Sequence, residues 1–165
     1  MRERFCYGRN EFERNEMPNL KELVDEGNKR KAVVDDACRV LDLEVADKGG
    51  VSGFAIRTAY KLVQGIKPGF VREVVDHLLD DFLIALDPVY QEALEKNQAP
   101  GPYLRQNSSR VADALLAVTD KRAERAQRGV IKKAYDKLRP AAKKHVEEAA
   151  PRLAEMLERH AAVPA

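Results

Sequence analysis

The sequence predicts an all-α protein, a helical bundle built from two related helix-loop-helix units. Three observations carry this. Apolar residues recur three and four apart through most of the chain, the spacing that lines one face of a helix. No apolar run alternates with the period of two that marks a half-buried strand. Blocks of the second half also repeat blocks of the first. Val45-Ala46-Asp47-Lys48 recurs as Val118-Thr119-Asp120-Lys121, and Ile56-Arg57-Thr58-Ala59-Tyr60 recurs as Ile131-Lys132-Lys133-Ala134-Tyr135. Val71, Glu73 and Leu78 then align with Val146, Glu148 and Leu153. The offset rises from 73 to 75 between the first two blocks, as a two-residue difference in one connecting loop would produce. Amphipathic helices align somewhat through their shared period, so an internal pseudo-repeat and coincidental periodicity are both open at this stage.

Residues 1–16 mix Arg, Glu and Asn with the isolated aromatics Phe5, Tyr7 and Phe12 and show no period, so they are expected to be a disordered tail. Met17 precedes Pro18 and a strong helical pattern, which makes it a candidate native start. Glu13-Arg14 can be encoded by a purine-rich stretch ending six nucleotides before that codon, where a bacterial ribosome-binding site belongs. A genuine flexible tail is the alternative.

The first unit is expected over 17–98. Leu20, Leu23 and Val24 make a short amphipathic turn that stops near Gly27-Asn28. A longer helix follows from about Lys29 to Ala46, with Val33, Val34, Ala37, Cys38, Leu41 and Val45 on its buried face. Gly49-Gly50 ends it, and Ser52 is the expected N-cap of a helix carrying Ile56, Ala59, Tyr60 and Val63 as far as Gly65. After Pro68-Gly69, the apolar set Phe70, Val71, Val74, Val75, Leu78, Leu79, Phe82, Leu83 and Leu86 is the strongest pattern in the chain and marks the centre of the core. Asp87-Pro88 then reads as the cap and first residue of a new helix to about Asn97.

Residues 99–106, opening Ala99-Pro100-Gly101-Pro102, read as the linker between the units. The second unit is expected over 107–160. Asn107, Ser108 or Ser109 caps a helix with Val111, Ala114, Leu115 and Val118. Gly129 opens the next, with Ile131, Ala134, Tyr135 and Leu138 on one face. Pro140 is expected to begin the last helix, with Val146, Ala149, Ala150, Leu153 and Leu157 apolar, and Pro151 to kink or restart it. Residues 161–165 are expected to fray.

Val51-Ser52-Gly53, Ala59-Tyr60-Lys61, Lys67-Pro68-Gly69-Phe70-Val71 and the block from Val111 through Asp120-Lys121-Arg122-Ala123-Glu124 carry a resemblance. Over roughly Met17 to Ala161 the chain resembles a family of short uncharacterised bacterial proteins classed as a domain of unknown function. The resemblance implies a helical bacterial protein that begins near Met17. It assigns no activity, cofactor or functional residue.

A chain of 165 residues suits one domain or two small repeats sharing a core. Cys6 and Cys38 form no disulfide framework or metal spacing, and Cys38 fits a small core residue in a reducing compartment. No apolar run approaches the ~20 residues of a membrane span, and the start Arg2-Glu3-Arg4 is unlike a secretion signal, so a cytoplasmic protein is expected.

Charged residues form 34% of the chain yet nearly cancel at +2, so their distribution carries the information. From Lys121 to Lys144 ten Lys or Arg residues stand against only Glu124 and Asp136. From Glu73 to Glu95 seven carboxylates, Glu73, Asp76, Asp80, Asp81, Asp87, Glu92 and Glu95, meet no Lys or Arg. The candidate partner-binding residues are therefore Arg125, Arg128, Lys132, Lys133, Lys137, Lys143 and Lys144. They fit a non-enzymatic helical adaptor whose second unit binds a protein partner of acidic character. Nucleic acid held by the same surface is the alternative. The blander accounts are a solvated face, or one neutralised by the 73–95 carboxylates.

A small-ligand or metal-dependent enzyme ranks a distant third. Glu73, His77, Asp80 and Asp81 share one helix at metal-compatible spacing, but no second helix supplies a matching Glu-x-x-His, and His145 with Glu148 is the one similar pair. No phosphate-cradling loop or nucleophile elbow is present, and no cofactor or metal is expected. Tyr60 and Tyr135 are expected to pack on the buried sides with their hydroxyls at the rim rather than to stack on bases.

Overall fold

The computed structural model describes residues 18–161. Among them the chain forms seven α-helices and no strand. These are α1 Leu20–Asp25, α2 Arg30–Asp47, α3 Gly50–Gln64, α4 Phe70–Glu95, α5 Pro100–Gln106, α6 Ser108–Glu124 and α7 Gly129–His160, with a 3₁₀ turn over Glu26–Asn28. The tail before Met17, the choice of start and the end beyond Ala161 lie outside the described residues.

Two long helices organise the bundle. α4 packs on α1, α2, α3, α5 and α6, and α7 packs on α2, α3, α5 and α6. The centre of the core is the α4 face of Leu79, Leu83, Leu86, Val89, Tyr90 and Ala93, against Leu20 and Val24 of α1, Val33 and Val34 of α2, and Ala154 and Leu157 of α7. Each buried Leu or Val side chain of this set contributes about 1.5–3 kcal/mol through removal from water.

Asp87 and Pro88 do not reset the chain. α4 runs through both to Glu95, and the Asp87 carboxylate instead accepts the Leu20 N–H at 2.8 Å. It thereby fixes the start of α1, whose own cap is a reciprocal box between Asn19 and Glu22. Pro140 likewise sits inside α7, as does Pro151. All three prolines are exposed. A ring on the solvent side costs one backbone bond where water can solvate the freed carbonyl, and the packed side keeps the helix in register.

Two expected boundaries also move. α3 starts at Gly50 behind an extended Gly49, so Ser52 lies in the first turn and caps nothing. The expected 99–106 linker folds as α5, with Tyr103 and Leu104 buried in the core. Ala161, expected to fray, is buried.

The units differ where the pseudo-repeat would align them. Gly65 through Gly69 separates α3 from α4, with Gly69 at φ 73°, a left-handed backbone that suits glycine. The corresponding stretch from Pro140 is uninterrupted α7. Tyr60 donates to Asp42 and Tyr135 to Asp120, each over 2.5 Å, yet the position matching Asp42 is the apolar Leu115. Both tyrosines are half-buried with the hydroxyl on a carboxylate, so their rings pack and are not free platforms for bases.

Candidate functional site

The basic segment straddles the α6–α7 turn and the outer side of α7. Arg125 and Arg128 flank the turn, and Lys132, Lys133, Lys137, Lys143 and Lys144 are all exposed. Spacings of four, seven and eleven put Lys133, Lys137 and Lys144 along one solvent-facing stripe, with Lys132 and Lys143 beside it. Their partners divide them. Lys143 pairs with Asp113 at 2.9 Å, and Lys144 lies 4.0 Å from Glu148. The Arg128 guanidinium sits 5.8 Å from the Phe70 ring centroid. Among the described residues, Arg125, Lys132, Lys133 and Lys137 form no ion pair.

The acidic stretch of α4 does not neutralise this stripe. Asp76 and Asp80 hold Arg30 of α2 at 2.9 and 2.5 Å, Glu73 holds Lys67 at 2.5 Å, and Glu92 holds Lys96 and Arg110 at 2.6 and 2.8 Å. Among the described residues, its one ion pair to the basic segment is Asp81 with Arg122, at 2.6 Å.

A second exposed feature lies on α3, which packs along α7. Val51, Phe54 and Leu62 share one helical stripe and face outward, with Val51 90% and Phe54 66% exposed. Ile56 and Val63, on the other side, are partly buried. The sequence pattern, which sets Ile56, Ala59, Tyr60 and Val63 on one face of this helix, leaves Val51, Phe54 and Leu62 on the opposite one.

α2, α3, α4, α6 and α7 line a half-open pocket of about 320 Å³. Its wall is almost wholly aliphatic and aromatic, including Leu79, Phe82, Leu115, Val146 and Leu153. Glu44, Lys48, His145 and Thr119 supply its polar atoms. Glu44 accepts from Arg152 at 2.6 Å and pairs with Lys48 at 3.1 Å. Lys48 also reaches Glu148 at 2.8 Å. Burial alone would pull the Lys48 ammonium down, but its hydrogen bonds to Glu148 and Glu44 leave it raised above the ordinary lysine value. The same Lys48 contact holds Glu148 below the usual carboxylate range. His145 Nδ1 lies 3.4 Å from Glu148, and its Nε2 is buried with no hydrogen-bond partner.

His77 Nδ1 lies 2.7 Å from the carbonyl of Glu73. Among the described residues, no group of three or more His, Cys, Asp or Glu side chains is placed to hold a metal ion. No described helix is long and apolar enough to cross a membrane.

A family model described as a family of unknown function, DUF6918, matches residues 20–161. No curated protein and no solved structure matches the chain.

Proposed function

This chain belongs to the family of unknown function DUF6918, and from that premise we propose that it is a non-enzymatic binding module. Its partner is an acidic protein segment held on the outer faces of α3 and the first half of α7. The observation that carries the reading is the pairing of two exposed features on adjacent helices. One is the set Lys132, Lys133 and Lys137, without ion pairs among the described residues. The other is the apolar stripe Val51, Phe54 and Leu62. Unpaired cations steer an acidic partner and fix its register, while a central apolar contact supplies the affinity. Nucleic acid would use the cations but gains little from the apolar side chains Val51 and Leu62.

The test is affinity capture from native lysate, with and without nuclease, on three forms of the full chain. These are the unaltered protein, Lys132→Glu/Lys133→Glu/Lys137→Glu, and Phe54→Ser. A nuclease-resistant protein held by the unaltered chain and lost from both variants, with melting curves unchanged, supports the reading. Capture that disappears with nuclease, or that falls as a steep power of salt on a duplex oligonucleotide, replaces it with nucleic-acid binding. Equal capture by all three forms removes this surface from consideration.

A further inference from the structure

We propose, resting on the protein-binding reading above, that the acidic partner docks as one amphipathic helix in the seam between α3 and the first half of α7. Two contacts fix how these packed helices lie. Lys48, at the corner before α3, bonds Glu148 of α7 at 2.8 Å. Just past the other end of α3, the centroid of the Phe70 ring sits 5.8 Å from the Arg128 guanidinium at the start of α7. α3 therefore runs antiparallel beside α7, with Leu62 towards Val130 and Val51 towards Glu148.

Each helix has one flank already taken. Arg57 and Tyr60 donate to the Lys48 carbonyl and to Asp42, so that flank of α3 faces α2. Val51, Ala55 and Leu62, four and seven apart, lie on the opposite flank. On α7, Tyr135, Arg139 and Lys143 bond Asp120 and Asp113 and face α6. Lys132, three residues before Tyr135, belongs to that side. Val130, Lys137, Lys144 and Glu148 follow one another at spacings of seven, seven and four. Because Glu148 reaches Lys48, this row borders α3, and Lys133 stands on its outer side.

The seam thus has an apolar wall and a cationic one. Leu62 is 49% exposed and Val130 40%. α3 carries no Asp or Glu, and among the described residues Lys61, Lys133 and Lys137 form no ion pair. The occupant must bring apolar side chains to cover Val51, Leu62 and Val130, and carboxylates to meet the cations. An extended chain gains little here. It binds by adding to a sheet edge, whereas the backbone groups in the middle of α3 already bond within the helix. A helix presents its anchors at three-four spacing and leaves no backbone unpaired. Val51 to Leu62 spans eleven residues, roughly 17 Å, so about three turns of partner fill the seam.

A fluorescently labelled peptide of about eighteen residues, with Leu at three-four spacing and Glu on the flanks, tests this by anisotropy against the full chain. Saturable binding is expected. A peptide with the leucine period scrambled, and one with Lys in place of Glu, should each bind at least ~10-fold more weakly. Leu62→Ser should weaken the acidic helix by ~10-fold. Lys137→Glu should weaken it at least ~3-fold more than Lys132→Glu, which lies on the α6 side. All three positions are exposed, so the variants should melt as the parent does. Should Leu62→Ser melt lower, the order of the two lysine variants decides. Absence of saturation overturns the proposal, as does equal binding of the scrambled peptide or a larger loss from Lys132→Glu. If any of these occurs while nuclease-resistant capture is still lost from Phe54→Ser, the helical occupant of the seam fails alone. Equal capture by every form removes the protein-binding reading and this docking mode with it.

Discussion

The phenolic O–H of Tyr90 donates to the backbone carbonyl of Ala161 over 3.0 Å, across 71 residues of chain. Tyr90 is among the largest fully buried side chains of α4, so this one bond ties the centre of the core to the end of α7. Burial first, then the nearby Asp87 carboxylate, raises the phenol above its ordinary value and keeps it protonated as a donor. Tyr90→Phe retains the ring and orphans a buried carbonyl. It should cost about 1–2 kcal/mol, read as a lowered midpoint in urea with an unchanged slope.

Neighbouring positions on α4 should differ sharply. Leu83 is 2% exposed and Ile84 is 59% exposed. Leu83→Ala should lose about 2–5 kcal/mol through lost burial and a residual cavity, and Ile84→Ala should stay within about 0.5 kcal/mol of the parent. Equal effects in a denaturant melt would show that α4 does not present this face to the core.

That contrast also shows what the sequence could disclose. Periodicity placed α2, α3, α6 and the start of α4 because burying one stripe of each helix is the dominant gain, and three-four spacing records it directly. It named Leu78 and Phe82 as central beside Leu79 and Leu83, yet the first two are only partly buried. A stripe read without its neighbours fixes a face and not a depth. Pro88, Pro140 and Pro151 were read as breaks because proline opposes a helix locally, whereas packing along α4 and α7 outweighs that cost. The lysine stripe was legible as composition, but its freedom from α4 depended on Arg30 reaching Asp76 and Asp80, a contact between residues more than 40 apart. The pocket left no sequence signal, since it reflects volume unfilled by Ala37 and Ala149 among side chains that all look like core.

Acid should loosen the junction of α4, α5 and α6. Glu92 accepts from Lys96, Tyr103 and Arg110 at 2.6, 2.7 and 2.8 Å. These contacts, Lys96 foremost, lower its carboxyl to about 2. A depressed folded-state value means that its contribution is fully present above the unfolded value of ~4.3 and is lost as pH falls through the folded one. Stability should therefore fall between about pH 4.5 and pH 2 more steeply in the parent than in Glu92→Gln. Superimposable pH profiles of the two melting temperatures would show that the cluster is not coupled to folding.

The tightest corner of the fold makes the last prediction. Gly53 lies inside α3, one residue after the expected cap Ser52, and is buried. A Cβ built there would stand 2.5 Å from both the carbonyl carbon and oxygen of Lys48. The clash is with backbone, so no side chain can swing aside, and α3 must move away from the end of α2. Arg57 of α3 donates to that same Lys48 carbonyl, and the Lys48 side chain carries the pairs to Glu44 and Glu148 at the polar end of the pocket. Alanine favours a helix interior over glycine by only about 1 kcal/mol, whereas overpacking costs about 1–3 kcal/mol. Gly53→Ala should therefore destabilise the protein, with the shift centred on residues 44–57. Gly129→Ala supplies the control, since nothing lies within 4 Å of a Cβ there. If Gly53→Ala instead melts higher than the parent, the α2–α3 corner is looser than this close approach requires, and Lys48 is not held in place by it.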